Sequence, residues 1–176
     1  MEKKELELYI HIPFCVRKCN YCDFLSFPAD EDTQRQYVKA LCKEIFYYGA
    51  HCRDYVVSTV YIGGGTPSWL WESDMAEIMD AVHKNFALLP DAEVSVECNP
   101  GTVTAQKFAV YRQSGINRIS LGLQSAQNVE LKMLGRIHTW EQFLKTYELA
   151  RAGGFSNINV DLMSSLPGQH TATYAD

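Results

Sequence analysis

Alternation of strands and helices along this 176-residue chain predicts a parallel α/β sheet of about five strand–helix units. Two observations carry the prediction. Short apolar runs suited to strands are each followed by a stretch with apolar residues at helical spacing. The residues able to do chemistry cluster just after those runs, at the carboxyl ends of the strands, where parallel sheets build their sites. No internal linker, repeat or low-complexity segment interrupts the pattern, so residues 1–176 read as one domain.

The first strand covers residues 6–12 and feeds a cysteine-rich loop. A helix follows over 32–48, with Tyr37, Val38, Leu41, Cys42 and Ile45 on one face and Gly49 as its stop. Residues 56–62 form the second strand, which ends in Gly63-Gly64-Gly65. The second helix spans 73–86, with Met75, Ile78, Met79 and Val82 on its apolar face. Residues 93–97 are the third strand. Thr104 caps a third helix that stops at Gly115. The fourth strand lies within 116–123. A short helix near 129–134 and a longer one over 139–152 come next, closed by Gly153-Gly154, and residues 158–163 make the fifth strand.

Cys15, Cys19 and Cys22 stand in a C-x3-C-x2-C run directly after the first strand. Three thiolates on a short loop can hold three corners of a cubane iron–sulfur cluster and leave the fourth iron open. A closed zinc site needs four ligands, so zinc would have to recruit another group, for which His11 is the candidate. A disulfide framework fits poorly. Six cysteines are few for this length, and Met1-Glu2-Lys3-Lys4-Glu5 has no apolar signal segment behind it. Cys42 fits a helix face as a small core residue, and nothing gives Cys52 or Cys98 a ligand role.

Composition narrows the field further. The chain is 47% hydrophobic and 21% charged, as for a globular domain, and its net charge of −5 comes without a basic cluster, so a nucleic-acid footprint is absent. No apolar run approaches the length of a membrane span. Free cysteines and an oxygen-sensitive cluster both suit a reducing cytoplasm.

The cysteine run, with Tyr21 before its last member, resembles the radical S-adenosylmethionine (SAM) superfamily. The longer string from Tyr9 through Cys15 to Cys22-Asp23-Phe24 is similar to the oxygen-independent coproporphyrinogen III oxidase family, and within it to the HemW-like haem chaperones. Further matching strings occur in family order: Gly63-Gly64-Gly65-Thr66-Pro67-Ser68, Glu97-Cys98-Asn99-Pro100-Gly101-Thr102, residues 120–125, residues 134–139 and residues 161–169. A lone cysteine triplet is moderately specific, but the ordered set is very specific.

The resemblance implies a partial (β/α) barrel of radical SAM type, truncated before its last unit and a C-terminal region. It implies a [4Fe–4S] cluster on Cys15, Cys19 and Cys22, with SAM chelating the open iron. One-electron cleavage of the sulfonium would then yield methionine and a 5′-deoxyadenosyl radical. The matching positions assign SAM contacts to Tyr9, Tyr21, Gly64, Gly65, Thr66, Glu97, Gln124, Arg136 and Asp161. Tyr21 would shield the cluster or pack on adenine. His11 is either a satisfied core histidine or a hydrogen-bond donor toward the cluster. Arg17 and Lys18 either act on the cluster or its electron donor, of flavodoxin or ferredoxin type, or are solvated loop charges.

Three functions are expected from this. The first is a HemW-like protein that binds a cluster and SAM and passes haem to an acceptor protein. The second is coproporphyrinogen III dehydrogenase, which decarboxylates two propionates. The third is a non-catalytic metal-binding fragment. The oxidase family carries an extra N-terminal segment and another cysteine two positions after the triplet. Here the triplet begins at residue 15 and Phe24 takes that place, which favours the first. Family haem determinants lie largely in the C-terminal portion, so this chain is expected to bind haem poorly.

Overall fold

The computed structural model describes residues 3–175. Five parallel strands run in the order β1-β2-β3-β4-β5: β1 (Lys4–Ile12), β2 (Tyr55–Gly64), β3 (Leu88–Cys98), β4 (Arg118–Gln124) and β5 (Asn157–Leu162). The crossovers carry α1 (Glu31–His51), α2 (Glu72–Asn85), α3 (Ala105–Gln113), and the pair α4 (Asn128–Met133) and α5 (Trp140–Ala152), with α6 (Thr171–Ala175) after β5. Each strand sits beside its sequence neighbour. Right-handed crossovers taken always in one direction put every helix on one face of the sheet. The sheet is open, with β1 and β5 at its edges. This is the partial barrel that the motifs imply.

Period-two alternation sorts the two faces. Ile10 and Ile12, Val60 and Ile62, Val94 and Val96, and Ile119 and Leu121 are buried under the helices, where they meet Val38, Ile45, Met75, Ile78, Met79 and Phe108. The intervening residues face the other way: Tyr9 and His11, Tyr61 and Gly63, Ser95 and Glu97, Ser120 and Gly122, Asn159 and Asp161. Strand register lines them up across the sheet, with His11 beside Gly63, Glu97 beside Ser120, and Gly122 beside Asp161.

Helix ends obey local chemistry. Thr104 caps α3 through a bond from Lys107 N to its hydroxyl, and Gly115 comes next at φ +89. Thr139 and Gln142 close a reciprocal capping box on α5. Two sequence expectations fail. Gly49 does not stop α1, which continues to His51. A Cβ there would lie 2.6 Å from Asn85 Cβ and its carbonyl oxygen, so Gly49 marks the close crossing of α1 and α2. β3 begins at Leu88, five residues before the predicted start at 93. Pro90 and Asp91 look like a turn in sequence, but they lie in an irregular stretch where the β2–β3 register shifts between Val57 and Thr59. Cys42 packs partly buried against the core, as its helical position predicts. Among the described residues no helix is long and apolar enough to cross a membrane.

Ile62 is fully buried in β2, with a strand on each side. Ile62→Ala should therefore cost about 2–5 kcal/mol, whereas Thr139→Ala, which removes only a cap, should cost about 1 kcal/mol. Urea-unfolding midpoints would rank the two, and equal midpoints would contradict this account of the core.

Candidate functional site

The cysteine loop leaves β1 and is clasped at its base. Cys15 N donates to Phe27 O at 3.1 Å and Phe27 N to Pro13 O at 2.9 Å. The ring of buried Phe14 packs edge-on against Phe27 and Tyr37. Further along, the loop is tied to the segment after β4. Asn20 N donates to Leu134 O at 3.0 Å, Asn20 Nδ2 to Met133 O at 2.9 Å, and Arg17 Nη2 to Gly135 O at 2.6 Å. Arg17 therefore anchors the loop, and Lys18 donates to Phe24 O within it at 3.2 Å. His11 Nε2 lies 3.0 Å from Leu25 O and its Nδ1 lies 3.2 Å from Tyr9 Oη. With both ring nitrogens engaged, His11 braces the loop.

The glycine run lies against the same loop. Gly65 N donates to Ile12 O at 2.8 Å and Thr66 N to Phe14 O at 2.7 Å. A Cβ on Gly65 would meet Phe14 O at 2.7 Å, and Gly64 holds φ +118 beside the His11 ring. The absent side chains thus let this chain's own strands approach, while Gly64 and Gly65 still border the cavity in front of them.

That cavity, about 370 Å³, opens on the polar face at the carboxyl ends of the strands. Cys15, Cys19 and Cys22 line one side, all free and partly buried. Tyr21, Gly64, Gly65, Thr66, Glu97, Gln124, Arg136 and Asp161 border it too, so eight of the nine SAM positions that the resemblance implies converge there. Tyr9 does not. It is 61% exposed, stacks on Tyr61 at 6.2 Å between centroids, and borders a separate groove between β1 and α1. Edge-strand placement turns it away, and Tyr61 of the neighbouring strand stands on the cavity in its place. Among the described residues no three Cys, His, Asp or Glu side chains converge on the position of a single ion. Both His11 ring nitrogens are engaged with Tyr9 and Leu25, away from the triplet.

Several residues to which the motifs assign no role also shape the site. Tyr61 donates to Glu97 Oε1 at 2.8 Å, and Gly64 N donates to Glu97 Oε2 at 3.1 Å. Ser120 and Asn159 donate to Asp161 at 3.1 and 2.7 Å. Asn99 joins Thr66 to Arg136. Period-two alternation on the strands would have found Tyr61, Ser120 and Asn159. Arg136 is the cross-brace of the site: Nη2 donates to Gly122 O at 2.6 Å, and Nη1 lies 3.7 Å from Cys19 Sγ and 3.5 Å from Tyr21 Oη. Gln124 takes φ +73 at an irregularity in the β4–β5 ladder, which re-aims the strand end at the cavity.

Burial pushes the Glu97 carboxyl above its ordinary value; Tyr61 and Gly64 oppose the shift and the Asp161 charge adds to it. Burial and the Glu97 hydrogen bond push the Tyr61 hydroxyl up as well. Cys98 is pushed up to about 12 by burial, which keeps that thiol neutral although it borders the same cavity as the triplet. Burial, then the Arg136 charge, push His138 down to about 4. The arrangement suits a ligand that is soft at one end and carries hydrogen-bond donors at the other.

A raised carboxyl pKa means that the folded state binds more protons than the unfolded chain. Stability contributed by Glu97 is thus full below the unfolded carboxylate value and declines as pH rises from it through the folded value. Glu97→Gln should flatten that decline. Urea midpoints taken from about pH 4 to pH 7 would show it, and an unchanged slope would contradict the assignment.

Comparison with known proteins agrees with this geometry. A model of the radical SAM superfamily matches residues 9–175. The heme chaperone HemW of Escherichia coli K12 is 43% identical over 165 residues, covering 93% of this chain and 44% of that protein. HemW of Bacillus subtilis is 37% identical over 164 residues, covering 92% and 43%. The chain thus spans less than half the length of these relatives. Among solved structures, Escherichia coli coproporphyrinogen III oxidase (HemN), described as a radical SAM enzyme, superposes with a TM-score of 0.90 at 30% identity, over 99% of this chain and 40% of that one. With the superfamily match running from the first strand to the last helix, and HemN sharing nearly all of this fold, the chain belongs to the radical SAM superfamily.

Proposed function

We propose that this chain holds a [4Fe–4S] cluster and SAM, and that it forms the cofactor-binding part of a HemW-like haem chaperone. The single observation behind this reading is the cavity whose one side is three thiols from one loop and whose other side is Glu97, Gln124 and Asp161. The donor set fits the group: three free, soft sulfur ligands on one loop beside the cavity suit a cluster in which each thiolate takes a different iron. When bound, the pair supplies one-electron chemistry at a sulfonium carbon–sulfur bond.

The remaining roles belong to the chain. Cys15, Cys19 and Cys22 bind the cluster. Arg136 and Asn20 hold the loop against the strand ends, and Tyr21 covers it. Glu97, fixed by Tyr61 and Gly64 N, accepts from an ammonium or ribose hydroxyls, and Asp161, fixed by Ser120 and Asn159, offers a second acceptor. An electron would come from a flavodoxin-type or ferredoxin-type donor, and haem would pass to an acceptor protein. The HemW reading rests on identities of 37–43% over nearly the whole chain. The oxidase reading draws on the fold shared with HemN, but Phe24 stands where that family carries a further cysteine.

Anaerobic reconstitution is expected to give about four irons and four sulfides per chain, with an electron paramagnetic resonance (EPR) signal in the reduced state that changes on adding SAM. Cys19→Ala should abolish the cluster. A variant that kept full iron content, or a purified protein holding only zinc, would refute the ligand assignment.

A further inference from the structure

With Cys15 as a cluster ligand that has no proton to give, the hydrogen bonds between Arg136, Asn99, Thr66 and Cys15 have one self-consistent direction. Arginine has donors and no acceptor, so Arg136 Nη2, 2.9 Å from the Asn99 side chain, must face its oxygen. The Asn99 amide is thereby oriented with Nδ2 toward Thr66, and it donates to Thr66 Oγ1 at 2.9 Å. With its oxygen accepting from Asn99, the Thr66 hydroxyl has its own hydrogen left to give. Cys15 Sγ lies 3.4 Å away. Thr66 is 4% exposed, so water scarcely competes for that hydrogen. From its other nitrogen, Arg136 Nη1 donates directly to Cys19 Sγ.

Asn99 is held in place to do this. Its backbone N donates to Ser68 Oγ at 3.1 Å, and its carbonyl oxygen accepts from Thr102 N and Thr102 Oγ1 at 3.1 and 2.7 Å. The side chain therefore bridges two groups from a fixed base and points at neither sulfur itself.

We infer that Asn99 is a positioning residue that relays hydrogen-bond polarity from Arg136 through Thr66 to Cys15, so that one guanidinium sets the donors to two of the three cysteine sulfurs. The inference rests on the cluster reading of the site. Hydrogen bonds to ligand sulfurs favour the more negative, reduced cluster and so raise its reduction potential. The relay makes the bound cluster easier to reduce. Its consequence is specific: loss of the Thr66 hydroxyl removes the Cys15 bond, whereas loss of Asn99 weakens the same bond from a distance.

The test is an EPR-monitored redox titration of the reconstituted chain and four variants, each normalised to iron content. Thr66→Val should lower the ratio of reduced to oxidised cluster about tenfold at fixed solution potential, equivalent to about 59 mV for a one-electron couple. Thr66→Ser, which keeps the hydroxyl, should match the parent. Asn99→Ala should shift the same way by a smaller amount. The double variant Thr66→Val/Asn99→Ala should shift by less than the sum, because part of the Asn99 effect acts through Thr66. A fully loaded Thr66→Val with the parental potential would overturn the inference and leave the cluster reading standing. So would a Thr66→Ser that falls as far as Thr66→Val, or strictly additive shifts. A parent chain that takes up no cluster would overturn both. If Asn99→Ala does not load, the comparison of Thr66→Val with Thr66→Ser still decides whether Thr66 donates to Cys15, without which the relay fails.

Discussion

Every strand of this sheet has to satisfy two solvents. Parallel sheets covered on both faces are built from nearly continuous apolar runs. Here the strands alternate instead, with Ile10, Ile12, Val60, Ile62, Val94 and Val96 on one side and His11, Tyr61, Gly63, Ser95 and Glu97 on the other. The strand order from β1 to β5, with each crossover turning the same way, places the helices on the apolar side only. The polar side, left without helices, becomes the wall of a cavity. The site is a consequence of that division. Carboxylates such as Glu97 stay at a strand end at tolerable cost because the face they point to is wet or ligand-filled, while the helical face supplies the stability.

Loops at the carboxyl ends need a second kind of support, since strand pairing in a parallel sheet stops where the loops begin. Arg136 provides much of it. Its guanidinium reaches the β4 backbone at Gly122, the turn after β3 at Asn99, and the cysteine loop at Cys19 and Tyr21. Five donors in a rigid fork suit this use, and lysine could not span the same partners. Asn20 and Arg17 reciprocate by capping carbonyls of residues 133–135. The cysteine loop is therefore fixed at its base by Phe14 and Phe27 and at its tip by the segment after β4.

Legibility in the sequence depends on the range of each interaction. Thr104, Thr139 and Gly115 act within one turn of their own helices, and their roles can be read locally. Cys15, Cys19 and Cys22 share one loop, so their spacing alone suggests a common ligand. Gly49 looks like a helix stop only because its reason lies in Asn85, on another helix. The early start of β3 is hidden behind Pro90 and Asp91, whose turn chemistry is overridden by pairing with β2. Tyr9 shares the inward parity of His11, but parity does not say that an edge strand lies beyond the cavity rim. Asn99 stands in a matching string, but its role is hidden there, because it depends on Thr66 and Arg136, which are 33 and 37 residues away.

Charge is segregated across the cavity in a way that net charge conceals. Arg17, Lys18 and Arg136 border the thiol side. Glu97 and Asp161 border the far side, where the Asp161 charge adds to the upward shift of Glu97. Two acidic groups so placed repel each other even with the protein donors that fix them. A ligand that brings an ammonium or hydroxyl group to that side relieves the repulsion, and the same ligand is held with its opposite end toward the sulfur atoms. The cavity thus selects orientation before it selects identity, and a sheet with one polar face is sufficient to build that bias.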